Sequence, residues 1–130
     1  MRGSAQRARK SQEKQSIEQR LDKVRDISIE HPYLEDDNFC SNWPTSDRSS
    51  EKSMRYENYC CLWFNLCESI WEFYGGKKED IEDFIYVKEI FKRHRKWWQF
   101  DTKNSDGYGK NFVHFVNSYI EDDEKKGGGK

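Results

Sequence analysis

The chain has 130 residues, of which 34% are apolar, 36% charged and 15% aromatic, with a net charge of −1. This length fits one small domain, enough for a helical bundle but not for a large cleft enzyme. The net charge names no partner, and no run of about 18 apolar residues is present to span a membrane.

Residues 1–4 resemble a cloning leader and are set aside from the fold reading. Residues 5–30 lack proline and glycine and predict a long polar helix. Ile17, Leu21 and Val24 mark one narrow stripe on it, and the part before Ile17 has no apolar face. Residues 1–25 hold eight Lys or Arg against three acids, a local charge of +5. The helix should stop near Glu30, because the residue before Pro32 avoids the helical region. Residues 33–39 predict a short helical turn that plugs the core with Leu34 and Phe39. Residues 41–50 are rich in Ser, Asn, Asp and Pro and read as loop, with Ser50 or Ser53 placed to cap the next helix.

Residues 56–74 form the segment around which the chain is organised. Tyr56, Cys60, Trp63, Cys67, Ile70 and Tyr74 fall at alternating steps of four and three, one stripe of a helix. Tyr59, Leu62, Leu66 and Phe73 widen the stripe, and Phe64 and Trp71 extend it on another side. A helix this apolar must be wrapped by others, and Trp63, midway along the stripe, is expected to touch both the helix from Ile81 to Phe91 and the helix from Phe112 to Ile120. Gly75 and Gly76 end it, since glycine takes the left-handed cap readily. A second core helix is expected over residues 77–98, its buried face supplied by Ile81, Phe84, Ile85, Val87, Ile90 and Phe91. Acids crowd its start and Lys92, Arg93, His94, Arg95 and Lys96 its end, which suits the helix dipole. Trp97, Trp98 and Phe100 close it. A polar loop over residues 101–109 leads to a last helix over residues 110–120, with Phe112, Phe115, Val116, Tyr119 and Ile120 inward. Residues 121–130 are charged, then glycine-rich, and are expected to be disordered. The core domain is thus residues 31–120.

Four cysteines and three histidines invite a metal reading, but Cys60 and Cys61 are adjacent and Cys60 and Cys67 lie two turns apart, unlike paired zinc ligands. Cys60, Cys61 and Cys67 are expected inside the apolar helix as inert small hydrophobes. With no signal peptide, they point to a reducing, cytoplasmic compartment. His114, beside the inward stripe of the last helix, fits a core or boundary histidine better than a base. Residues 101–107 fail as a calcium loop, because Thr102 and Val113 fall where acidic ligands belong. No cofactor is called for, and no catalytic residue is assigned. Lys92, Arg93, Arg95 and Lys96 beside two tryptophans could contact phosphates and stack bases; tryptophans turned into the core are favoured instead. Asn58, Asn65, Glu68 and Glu72 form a polar strip on the central helix, either a solvated edge or the lining of a ligand groove.

The order of a basic helix, then His31-Pro32-Tyr33-Leu34 with Phe39, Arg55-Tyr56, Leu62 and Glu68 on a helix, a second helix ending His94-Arg95-Lys96-Trp97-Trp98, and Tyr108, Phe112-Val113 and Phe115-Val116, resembles the cytosolic helical domain of small single-span bacterial membrane proteins of uncharacterised function. The resemblance covers residues from about 5 to 120. It implies a membrane helix directly before the basic helix, placing the domain at the inner face of the membrane, and it implies no catalytic residues. The sequence therefore predicts an all-α bundle of three core helices plus a long N-terminal helix, acting as a non-enzymatic interaction or sensing module with a protein partner. The alternative is a nucleic-acid-binding protein that uses residues 92–98 and the basic arm. Weak self-association is expected at most, through Ile17, Leu21 and Val24.

Overall fold

The computed structural model describes residues 2–44, 48–100 and 103–128, the side chains of residues 2, 3, 103 and 123–128 excepted. All regular structure among them is helical: α1 (Arg2–Glu30), a 3-10 turn (Pro32–Glu35), α2 (Asp37–Ser41), α3 (Glu51–Phe73), α4 (Lys78–Phe84), α5 (Val87–Arg93), α6 (Arg95–Gln99), α7 (Lys103–Asp106) and α8 (Lys110–Gly128).

α3 is the axis of the bundle. Its N-terminus is capped by Ser50, whose hydroxyl accepts the Ser53 N–H at 3.2 Å. Its C-terminus is closed by Gly75 and Gly76, both at positive φ, where a side chain would be strained. Two flanks of α3 are covered by different partners. On one, α1 lies antiparallel: the Arg20 guanidinium donates to Ser69 Oγ at 2.9 Å, and further back along α1 the Lys10 ammonium sits over the Phe73 ring. Ile17, Leu21 and Val24 are buried there. That stripe packs within the chain. Residues 4–16 of α1 are helical and exposed throughout.

The other flank is an aromatic stack. Phe64 lies face to face with Trp98 at 4.7 Å between centroids, with Trp97 at 5.4 Å and with Phe91 at 5.7 Å. Phe91 in turn meets Phe112, Phe115 and Tyr119 of α8. Trp63, expected at this centre, has Tyr59 as its ring neighbour instead. One residue step on a helix turns a side chain by about 100°, which is the difference between the two flanks. Leu62 is 40% exposed and Cys61 is exposed; both were expected inward, and both lie on the outer face between the two packed flanks.

The single second core helix expected over residues 77–98 is three short helices. The backbone is extended at Ile85, with φ −144 and ψ 160, and turns again at His94. Ile85 and Val87 are both buried, yet two residues apart on one helix would point about 200° from each other. The break reconciles them. The short turn after Pro32 forms as expected and extends into α2, burying Leu34 and also Cys40. Trp43 is buried too, its indole N–H donating to Ser53 Oγ at 2.9 Å. α8 continues to Gly128, past the expected onset of disorder at residue 121. Glu121 with Lys125 and Asp122 with Lys126 have the i, i+4 spacing that supports a helix. Residues 129 and 130 lie outside the described residues, as do residues 101 and 102 of the failed calcium loop.

Candidate functional site: a buried Glu–His–Tyr chain

His94 is 0% exposed, in a chain whose other two histidines reach solvent. It falls on the stripe of Val87, Ile90, Phe91 and Trp98, so the periodicity that buries those residues buries it as well. A buried imidazole needs partners for both nitrogens. Nε2 is 2.6 Å from Glu35 Oε2 and Nδ1 is 2.7 Å from Tyr56 Oη. The other Glu35 oxygen lies 3.6 Å from the Arg93 guanidinium, which also donates to Asp37 at 3.0 Å. A carboxylate beside an arginine is an acceptor only, so Nε2–H donates to Glu35, and Nδ1 and the Tyr56 hydroxyl share the second hydrogen bond.

The chain of groups joins four elements: Glu35 from the 3-10 turn, Asp37 from α2, Tyr56 from α3, and Arg93 with His94 from the α5–α6 junction. Beyond Tyr56 lie two thiols. The Cys40 Sγ donates to the Leu34 carbonyl at 3.3 Å, and burial pushes its pKa up to about 11. Burial likewise raises the Cys60 thiol well above its ordinary range, and the Tyr56 phenol far above its own. An acid–histidine–hydroxyl order is the outline of a nucleophile relay. Here the hydroxyl is 0% exposed and held protonated, so no substrate meets it. The cluster pins the 3-10 turn and α2 onto the core. The sequence offered Arg93 as a phosphate contact and Tyr56 as a core residue but did not bring the cluster together: His94 was grouped with its basic neighbours although its place on the inward stripe was legible.

The basic segment is divided. Lys96 is exposed; Lys92, Arg93 and Arg95 are half-buried. Arg93 is engaged by Glu35 and Asp37, and Arg95 donates to the Lys92 carbonyl. Trp97 and Trp98 are buried, and the Trp98 indole N–H donates to Asn117 at 2.9 Å. The rings that would stack bases are therefore core residues. On the polar strip, Asn58, Asn65 and Glu72 are exposed, while Glu68 accepts the Gly109 N–H at 3.0 Å. These four do not enclose a groove together. The cleft of about 840 Å³ lies on the α1 side of α3, where Glu72 joins Lys10, Glu13, Arg20, Phe73 and Tyr74. Its charges are of both signs. Among the described residues, no group of three or more His, Cys, Asp or Glu is arranged to hold a metal ion.

No family model, curated protein or solved structure matches this chain.

Proposed function

We propose that the protein is a non-enzymatic helical interaction or sensing module, presented at the inner face of a membrane by a segment upstream of residue 5, with α1 as the connecting arm and a protein as its partner. The observation that carries this reading is the first half of α1. Residues 4–16 are helical and exposed, and they include Arg7, Arg9, Lys10 and Lys14 against Glu13 alone. Lys10 already stands over Phe73, the last residue of α3. The turns before it run beyond the end of that helix. A basic helix clear of the core is what a cytoplasmic flank of a membrane segment requires. Among the described residues no helix is long and apolar enough to cross a membrane; in this reading the arm adjoins a tether and is not itself one.

The non-enzymatic part of the proposal is supported by the sealed histidine chain, whose hydroxyl end is enclosed. The test has two arms. Fractionation of the native gene product should place it with membranes. The isolated chain should bind vesicles containing phosphatidylserine weakly, less at higher salt, and less again when Arg7, Arg9, Lys10 and Lys14 are changed to Gln. A native product found wholly in the soluble fraction would refute the tether. A salt-dependent shift of nucleic acid at concentrations where vesicles do not bind would favour the alternative partner.

A further inference from the structure

We propose that the cleft between α1 and the C-terminal end of α3 binds short peptides of about three residues with both termini free. This gives the sensing reading a ligand and rests on that reading, but not on the tether. On α1, Glu13, Ile17 and Arg20 all line the cleft, and steps of four and three place them on one face of the helix. Ser69, Glu72, Phe73 and Tyr74 line it from α3 and its end. Arg20 stands at the Ser69 end. The buried Ile17 and the half-buried Phe73 and Tyr74 rings supply an apolar wall. Glu13, with Glu72 of α3 and Asp80 of α4, supplies the acids.

Charges of both signs share this cleft without pairing. Lys10, Arg20 and Lys77 face Glu13, Glu72 and Asp80, and among the described residues none of the six is joined to another in an ion pair. The half-buried arginines elsewhere on the core, Arg55 and Arg93, each hold a carboxylate. Arg20 is the half-buried charge of this cleft. It gives one N–H to Ser69 Oγ at 2.9 Å and holds no carboxylate. A guanidinium withdrawn from water in this way suits an incoming carboxylate, which its planar fork can grip with two hydrogen bonds. The acids suit an ammonium. Spacing selects the ligand that carries both. Glu13 and Arg20 stand about 10 Å apart along the axis at ~1.5 Å per residue. An extended peptide covers about 3.3–3.6 Å per residue, so about three residues set the amino terminus at Glu13 and the carboxylate at Arg20. Single amino acids and zwitterionic lipid headgroups hold their two charges closer together than this. The cleft volume of about 840 Å³ is in the range of small-ligand sites and leaves room for an apolar side chain against Ile17 and Phe73.

Titration of the intact chain with the tripeptide Ala-Phe-Ala, followed by amide NMR shifts, tests this. Residues 10–20 and 69–77 should shift together and saturate. Acetylating the peptide's amino terminus, or amidating its carboxylate, should each weaken binding by about tenfold or more. Arg20→Gln should weaken the free peptide to the same degree, and amidation should then cost nothing further. Glu13→Gln combined with Glu72→Gln should do the same for acetylation; both side chains are exposed, so this variant tests the site without touching the bond to Ser69. A free tripeptide that gives no saturable shift would overturn the proposal. So would capped peptides that bind as well as the free one, the result expected of apolar contact alone. Binding that needs the carboxylate but survives acetylation would assign the cleft to the C-terminus of a longer chain and overturn it too. None of these results bears on the vesicle and fractionation tests of the tether, and a wholly soluble native product would leave the peptide titration unchanged.

Discussion

The Tyr56 hydroxyl shares a hydrogen bond with a histidine that is itself enclosed, so neither group has water to fall back on. Tyr56→Phe keeps the ring packing against Trp43 and Phe39 and removes only the hydroxyl. Nδ1 of His94 is then left without a partner, and we expect a loss of about 1–3 kcal/mol. It should show as a lower denaturant midpoint at an unchanged slope; an unchanged midpoint would mean the hydrogen bond contributes nothing. The four thiols are also separated by their surroundings. Cys40, Cys60 and Cys67 are buried and free, whereas Cys61 is free and exposed. Burial and the neighbouring Glu57 raise the Cys61 pKa too, yet the sulfur is reachable. One thiol per chain should therefore react with a water-soluble disulfide reagent at pH 8, and three more only on unfolding. Cys61→Ser should abolish the fast reaction.

At the scale of elements, the periodic stripes made α1, α3 and the inward residues of α8 legible, and the Gly75–Gly76 stop with them. Pairing was not legible, because α3 is apolar around most of its circumference. Such a helix has two packed flanks, and nothing in its own pattern says which neighbour takes which. That is why Trp63 was placed where Phe64 stands. The break at Ile85 carries neither proline nor glycine, and only the conflict between Ile85 and Val87 announces it. His94 was obscured by its cationic neighbours, and Glu35 by distance along the chain. The corrected pairing is testable. Phe64 touches three aromatic rings from α5 and α6 and is 0% exposed. Phe64→Ala should cost about 3–5 kcal/mol through lost burial and a cavity. Asn65→Ala, one residue on and exposed, should cost under about 0.5 kcal/mol. Comparable losses for the two, measured by chemical denaturation, would mean α3 is rotated from this arrangement.

For the whole molecule, charge and core are segregated: +5 in residues 1–25 leaves −6 for the remainder, 15 cations against 21 acids, while the interior holds protonated thiols and phenols. That interior sets an alkaline limit on the fold. Burial raises Cys40 to about 11 and Cys60 and Cys67 well above the ordinary thiol value of 9.0. The unfolded chain releases these protons from about pH 9, and the folded chain keeps them. A raised folded pKa gives stability that is complete below the unfolded value and is lost as pH rises toward the folded one. The folded state then binds more protons, so the unfolding free energy falls with pH by about 1.4 kcal/mol per unit for each such group. Three thiols together lower it by about 4 kcal/mol per unit above pH 9, against a total of about 5–15 kcal/mol for a domain of this kind. The urea midpoint should be flat from pH 7 to 8.5 and fall steeply between 9 and 11, with Tyr56 adding to the slope above 10. A Cys40→Ala, Cys60→Ala, Cys67→Ala variant should start lower, from its cavities, but decline with a shallower slope until the tyrosines ionise. A parent midpoint that stays level to pH 11, or a triple variant that declines in parallel with it, would show that the buried thiols do not set the limit.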